Sequence, residues 1–117
     1  MIRPRQPKSP LPTEFADKES LLAWGRASSF GGGLNVELVF GDHQLVVVFR
    51  CHKSGMPDSE PIIFAEIEGK WERLLCAAVS NWGATASVEG DYLVIWRTSR
   101  GDRRDEWFRL NLAAVLA

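Results

Sequence analysis

The sequence predicts an α+β domain, with an antiparallel sheet of about six strands, two helices on one face of that sheet, and a pseudo-duplicated αβββ–αβββ order. The segment from Gly41 to Arg50 resembles the segment from Gly90 to Arg97, because each begins with Gly-Asp and ends with an aromatic residue and Arg. Residues 28–32 and 80–84 also share the order Ser, aromatic residue, Gly. We therefore expect two half-repeats, over about residues 14–67 and 68–117.

Length and composition indicate one ordinary globular domain. The chain has 117 residues, of which 45% are hydrophobic and 25% are charged, close to the averages for globular proteins. Its formal net charge is −1, which argues against a nucleic-acid partner because phosphate binding normally needs a basic excess. The sequence has no apolar run long enough to span a membrane. We expect a cytoplasmic protein that has no contact with a membrane.

The first residues differ in composition from the rest of the chain. Residues 1–12 carry four of the six prolines together with Arg3, Arg5 and Lys8. Proline removes backbone donors and favours extended conformations, so this segment predicts a disordered, basic tail. The single α+β domain is then expected over residues 13–117.

The first half-repeat is predicted to contain one helix and three strands. Asp17 is a suitable N-cap for a helix that ends near Ser28, before the run of three glycines. Residues 34–40 alternate between apolar and polar side chains and predict a strand, which a Gly-Asp turn joins to a second strand over residues 45–51. The third strand is expected over residues 61–67.

The second half-repeat is predicted to have the same order. Apolar residues between positions 71 and 82 recur at helical spacing, and Gly83 suits the end of a helix: Trp71, Leu74, Leu75, Ala78, Val79 and Trp82. Residues 84–88 and 92–98 predict a second hairpin. Residues 107–112 predict the sixth strand, and the last five residues either extend it or form a short helical turn.

Two of the predicted strands are apolar on both faces. Residues 45–49 and 92–96 do not alternate, and an open sheet would leave two or three large side chains of each strand in water. The second face is therefore covered by curling of the sheet, by a second copy of the chain, or by a ligand or another protein. We expect a homodimer, with Val47, Phe49 and Val94 on its contact face.

The sequence offers no convergent set of catalytic groups, so we expect a protein that is not an enzyme. It lacks the motifs of nucleophile elbows, phosphate-binding loops and zinc proteases. The two cysteines, Cys51 and Cys76, have no close Cys or His pair of the kind that structural zinc sites use. We expect no metal and no cofactor.

Arginine and tryptophan supply the candidate binding residues. Arg50 and Arg97 occupy equivalent positions at the ends of the two most apolar strands, where a guanidinium could bind a carboxylate or a phosphate. The favoured interpretation is a protein-interaction module, such as an adaptor, a chaperone or an immunity-type inhibitor. The alternative is a small-molecule binding domain, with Trp82, Trp96 and Trp107 lining an apolar pocket and Arg97 as its polar anchor.

Overall fold

Two antiparallel sheets and two short helices make up the part of the chain that the computed structural model describes, which is residues 11–28, 34–50, 60–77, 83–98 and 104–117. The elements, in chain order, are β1 (Glu14–Phe15), α1 (Lys18–Ala27), β2 (Leu34–Phe40), β3 (His43–Arg50), β4 (Glu60–Ile67), β5 (Lys70–Cys76), β6 (Ala84–Glu89), β7 (Tyr92–Thr98), β8 (Arg104–Asn111) and α2 (Leu112–Val115). The α+β class predicted from the sequence is confirmed. In these ranges, neither helix is long and apolar enough to cross a membrane.

The elements form three layers. The larger sheet has the strand order β1-β5-β4-β3-β2, and the smaller sheet has the order β6-β7-β8. One apolar cluster lies between the two sheets and includes side chains of β3, β4, β6 and β7 together with Leu112 of α2. A second cluster lies between the larger sheet and α1, around Leu21 and Phe64. The larger sheet is therefore the middle layer, with α1 on one face and the smaller sheet on the other.

The middle layer explains why β3 is apolar on both faces. Leu45, Val47 and Phe49 belong to the cluster between the sheets. Val46 and Val48 belong to the cluster beneath α1. Strand side chains alternate between the two faces, and here both faces are covered by other parts of the same chain.

Helix α1 forms close to the predicted position. Asp17 is the N-cap, and its carboxylate accepts a hydrogen bond of 2.7 Å from the Ser20 amide. The helix approaches β2 closely at Gly25, where a Cβ atom would lie 2.3 Å from the side-chain oxygen of Asn35. The Asn35 amide donates to the Leu22 carbonyl at 3.1 Å, so this contact fixes the helix on the sheet.

The predicted second helix is wrong over the residues that the structure describes. Residues 70–76 form β5, which pairs with β4 through a tight hairpin. The turn of that hairpin has positive φ at Glu68 (51°) and Gly69 (83°), the combination that a two-residue hairpin turn prefers. Residues 78–82, the rest of the predicted helix, lie outside the described residues. The αβββ–αβββ order is therefore not confirmed in the described residues, because a strand stands where the helix of the second half was predicted. The single sheet of about six strands with two helices on one face is not confirmed either, since the described residues form eight strands in two sheets.

Two β-bulges place consecutive apolar residues on one face. In β5, Arg73 lies opposite Phe64 and Leu75 lies opposite Ile63, which leaves Leu74 as the extra residue. In β8, Glu106 lies opposite Trp96 and Phe108 lies opposite Ile95, which leaves Trp107 as the extra residue. A bulge sets two residues against one and interrupts the alternation of side chains. Both resulting pairs pack against the core between the sheets: Leu74 with Leu75, and Trp107 with Phe108.

The N-terminal part of the described chain is held against the edge of β5. The Arg73 amide donates to the Thr13 carbonyl at 2.9 Å. The Arg73 guanidinium donates from Nη1 to the carbonyls of Leu11 and Pro12, at 3.3 Å each. Leu11 also packs against the cluster beneath α1. The last two residues of the predicted tail therefore belong to the folded domain, while residues 1–10 lie outside the described residues.

Candidate functional site

The outer face of the smaller sheet carries the candidate site. Leu93 and Ile95 of β7 point toward the larger sheet and lie in the core between the sheets. Because side chains alternate along a strand, the intervening residues Tyr92, Val94 and Trp96 point away from the core. Tyr92 and Trp96 are half-buried.

The bulge in β8 brings a set of charged residues to the same face. Residues three apart in a regular strand point in opposite directions, but the extra residue Trp107 restores the same direction for Glu106 and Arg109. Register agrees with this, since Glu106 lies opposite Trp96 and Arg109 lies opposite Val94. Two residues earlier, Arg104 lies opposite Thr98 and shares the face of Glu106.

Each aromatic ring on this face is covered by a guanidinium. The Arg104 guanidinium carbon lies 4.4 Å from the centroid of the Trp96 ring. The Arg109 guanidinium carbon lies 5.0 Å from the centroid of the Tyr92 ring. Both distances fall within the range of cation–π attraction. We call the surface formed by the following residues the arginine–aromatic face: Ser87, Glu89, Tyr92, Trp96, Arg104, Glu106 and Arg109.

Hydrogen bonds fix the geometry of this face. Glu106 accepts two hydrogen bonds from Arg109, at 3.1 Å from Nε and at 2.5 Å from Nη2. These bonds lower the pKa of the Glu106 carboxyl and raise the pKa of Arg109. The Trp96 indole donates to the Ser87 hydroxyl at 2.8 Å, which holds the ring in its orientation beneath Arg104.

Arg104 differs from Arg109 in its partners. Ion pairs in the described part of the chain join Lys18 to Glu37, Arg50 to Glu60, Lys70 to Glu14 and Arg109 to Glu106. None of those ion pairs involves Arg104, which is exposed and contacts the Trp96 ring. Stacking on a ring uses the flat face of the guanidinium, so its N–H edge can still bind a carboxylate, and no carboxylate of the described residues forms an ion pair with it.

No protein-family model matches this chain, and neither the curated proteins nor the solved structures include a match. The chemistry of its own side chains is therefore what indicates function. Over the ranges that the structure describes, no group of three or more His, Cys, Asp or Glu residues is arranged to hold a metal ion.

Arg50, one of the two arginines singled out from the sequence, is engaged within the chain. Its Nε and Nη2 atoms both lie 2.8 Å from Oε1 of Glu60 on the neighbouring strand. Its guanidinium also lies 5.7 Å from the Trp24 ring of α1. Arg50 is thus on the helix side of the larger sheet, in a different layer from Arg97.

The predicted aromatic pocket is not assembled from the described residues. Arg97 is half-buried and shares the face of Leu93 and Ile95, toward the larger sheet. Trp107 also packs toward the core between the sheets, whereas Trp96 points outward. Trp82, the remaining member of the predicted pocket, lies outside the described residues.

The three residues predicted for a dimer face are buried within the chain. Val47 and Val94 have no exposed surface, and Phe49 is 3% exposed. Val47 and Phe49 lie in the core between the sheets, so they are not on a surface that a second copy could contact. Val94 lies between Tyr92 and Trp96 on β7, and it is covered by other side chains although it points away from the core between the sheets.

Sequence reasoning identified Trp96 but missed the other main members of this face. Arg104, Glu106 and Arg109 belong to a stretch that mixes charges of both signs, which is typical of a solvated loop or edge strand. The signal that could have found them is the adjacent pair Trp107 and Phe108, since regular alternation would turn one of these two rings away from the core and a bulge places both on the core side.

The one described cysteine has no reactive surroundings. Cys76 is half-buried near the Arg50–Glu60 pair. Burial, and after it the negative charge of Glu60, raise the pKa of the Cys76 thiol, so it is protonated at neutral pH. A protonated thiol is a poor nucleophile and a poor metal ligand.

Proposed function

We propose that this chain is a small non-enzymatic protein-interaction module, which binds an acidic segment of another protein on its arginine–aromatic face. The observation that carries this proposal is the Arg104–Trp96 stack. It is a cation held in place on an aromatic ring, and no carboxylate of the described residues forms an ion pair with it.

The composition of the face supports protein binding. Arg, Tyr and Trp are enriched at protein–protein interfaces, and they dominate the small set of residues that contribute most to affinity. The face has two arginines and two aromatic residues within one three-stranded sheet. Its Trp96 ring is already fixed by Ser87 at 2.8 Å, so less side-chain entropy is lost when a partner binds.

The charge of Arg104 supports an acidic partner, because the other arginine of the face, Arg109, is already paired with Glu106. A guanidinium recognises a carboxylate through two parallel hydrogen bonds, which are stronger than bonds between neutral groups. The Glu106–Arg109 pair shows this recognition inside the chain. A carboxylate supplied by a partner would give Arg104 the same type of contact.

The same geometry argues against single-stranded nucleic acid. Proteins that bind single strands stack bases on exposed aromatic faces. Here Arg104 covers Trp96 and Arg109 covers Tyr92, and both rings are half-buried. The formal net charge of −1 points the same way.

Self-association remains a prediction from the sequence. It rested on the uncovered faces of β3, and within the chain those faces are covered by α1 and by the smaller sheet. A second copy that used the arginine–aromatic face would compete with the acidic segment for it.

The experiment that tests the proposal is a titration of the full chain with an unstructured, glutamate-rich peptide, followed by Trp fluorescence or calorimetry. We expect binding that weakens as salt increases, because the contact is between exposed charges. Trp96→Ala should weaken it by about tenfold, in the range of a loss at an interface hot spot. Arg26→Ala is the matched control, since it removes an exposed cation from α1 on the other side of the larger sheet.

Three results would count against the proposal. The first is no binding of the acidic peptide at low salt. The second is equal loss of affinity in Trp96→Ala and Arg26→Ala, which would indicate attraction by overall charge. The third is tighter binding of a single-stranded oligonucleotide than of the peptide at equal salt, which would make the partner a nucleic acid.

A further inference from the structure

The arginine–aromatic face contains the same arrangement twice, with one difference. Tyr92, Arg109 and Glu106 form a complete set of ring, guanidinium and carboxylate. Trp96 and Arg104 form the ring and guanidinium of a second set. This second set has no carboxylate, because no Asp or Glu of the described residues lies within ion-pair distance of Arg104.

We infer that Arg104 is the anchor for a partner's carboxylate, and that Glu106 keeps Arg109 from acting as a second anchor. This inference rests on the proposed function and specifies how the partner is recognised. Glu106 occupies the donors of Arg109 in the bidentate geometry that a partner's carboxylate would need. The face therefore accepts one strongly bound acidic side chain from its partner.

The spacing of the two rings determines which partner segments could reach both arginines at once. Tyr92 and Trp96 are four residues apart on one strand, a distance of about 13 Å at about 3.3 Å per residue. In an extended partner segment, two acidic residues four positions apart lie on the same side and are separated by the same distance. Two acidic residues three positions apart lie on opposite sides, so they cannot reach both arginines.

Glu106→Gln should convert the face from one anchor to two. The neutral amide removes the charge that competes for Arg109, and a partner's carboxylate can then bind there. The matched control is Glu89→Gln, which removes the same charge from the same face. Glu89 accepts from the Ser87 hydroxyl at 3.4 Å. Its charge contributes less than that of Glu106 to the raised pKa of Arg109, and it forms no ion pair with Arg109 in the described residues.

The test uses the full chain and two synthetic peptides of β-branched residues, one with Glu at positions i and i+4 and the other with Glu at i and i+3. We expect the wild-type chain to bind both within about twofold of each other. Glu106→Gln should bind the i, i+4 peptide at least about tenfold tighter than the i, i+3 peptide, as a new charge-assisted bidentate contact implies. Glu89→Gln should show no such preference.

Arg104→Ala completes the test, and circular dichroism confirms that each variant is folded. The Arg104→Ala variant should bind both peptides about tenfold more weakly or worse, whereas the affinity of Arg26→Ala should stay close to that of the wild type. If the wild-type chain binds neither peptide, the proposed function itself is refuted. Wild-type binding that survives in Arg104→Ala would refute the anchor, and a Glu106→Gln variant that treats the two peptides alike would refute the role of Glu106.

Discussion

Two valines on adjacent strands show how far the surroundings decide the role of a residue. Val47 of β3 has no exposed surface, whereas Val39 of β2 is 64% exposed. The sequence indicated correctly that β3 is apolar on both faces. It does not indicate what covers them, because that depends on which distant elements fold over the strand. For this reason the sequence predicts Val47 on a dimer face, whereas the smaller sheet covers it.

Val47→Glu should prevent the domain from folding. A carboxylate at this position would be buried between the two sheets with no partner, at a cost of more than about 4 kcal/mol. The matched control, Val39→Glu, should change the free energy of unfolding by less than about 0.5 kcal/mol. Chemical denaturation followed by Trp fluorescence measures both. A folded Val47→Glu chain would contradict the burial of this residue.

Gly25→Ala should destabilise the domain although alanine is the better helix former. The added Cβ atom would lie 2.3 Å from Oδ1 of Asn35, whose amide is held by the Leu22 carbonyl. We expect a loss of about 1–3 kcal/mol, as for other overpacked sites. The double variant Gly25→Ala, Asn35→Ala relieves the clash and should lose less than the sum of the two single variants. Additive losses in denaturation experiments would show that the two residues do not interact.

At the scale of elements, helix α1 is predictable from the sequence because its start depends on local residues, whereas β5 is not because its form depends on distant packing. The start of α1 depends on local chemistry, namely the Asp17 cap and an acidic first turn. Strand β5 has both faces covered, with Trp71 beneath α1 and Leu74 and Leu75 between the sheets. A strand that is covered on both faces and carries a bulge has apolar residues at the same intervals as an amphipathic helix.

The cap of α1 predicts a pH dependence of stability. Hydrogen bonds from Ser20 lower the pKa of the Asp17 carboxyl from its ordinary value of 3.8. The folded state therefore binds this proton less readily than the unfolded state, and the contribution of the cap is complete above about pH 3.8 and is lost as the pH falls through the lowered pKa.

Asp17→Asn tests this dependence, because asparagine caps helices well and does not titrate. We expect the melting temperatures of the wild type and Asp17→Asn to be similar at pH 7 and the wild type to lose more stability under acid. Asp17→Ala should melt lower than both at pH 7. A wild type and an Asp17→Asn variant with parallel pH profiles would argue against the titration of Asp17.

The contact between the N-terminal segment and β5 predicts the effect of truncation. Deleting residues 1–12 removes Leu11 from the core and removes both carbonyls that bind the Arg73 guanidinium. We expect the melting temperature to fall by about 5–10 °C. Deleting residues 1–10 keeps those groups and should lower it less. Equal melting temperatures for the two truncations would show that Leu11 and Pro12 contribute nothing to stability.

At the scale of the whole molecule, the three layers leave one sheet face for recognition. In the described part of the chain, α1 and the smaller sheet cover the two faces of the larger sheet. The outer face of the smaller sheet spans about 14 Å across its strands and about 23 Å along them, or about 300 Å². A stable interface between proteins usually buries about 800 Å² on each partner.

The small area of this outer face predicts the oligomeric state of the isolated chain. We expect light scattering across a concentration series to give the mass of a monomer, 13.1 kDa, because the face alone is too small for a stable dimer. A dimer that persists on dilution would favour the homodimer predicted from the sequence. If it dissociated on addition of the glutamate-rich peptide, the dimer contact would lie on the arginine–aromatic face.

The extra residue Trp107 has an evolutionary consequence. Losing Trp107 would restore regular pairing and leave Glu106 opposite Trp96 and Phe108 opposite Ile95. The outer face would keep its residues, and only the core between the sheets would lose a large side chain. Substitutions at positions 104, 106 and 109 change the outer face and leave that core intact. The two sides of this strand can therefore change independently, one by deletion and the other by point substitution.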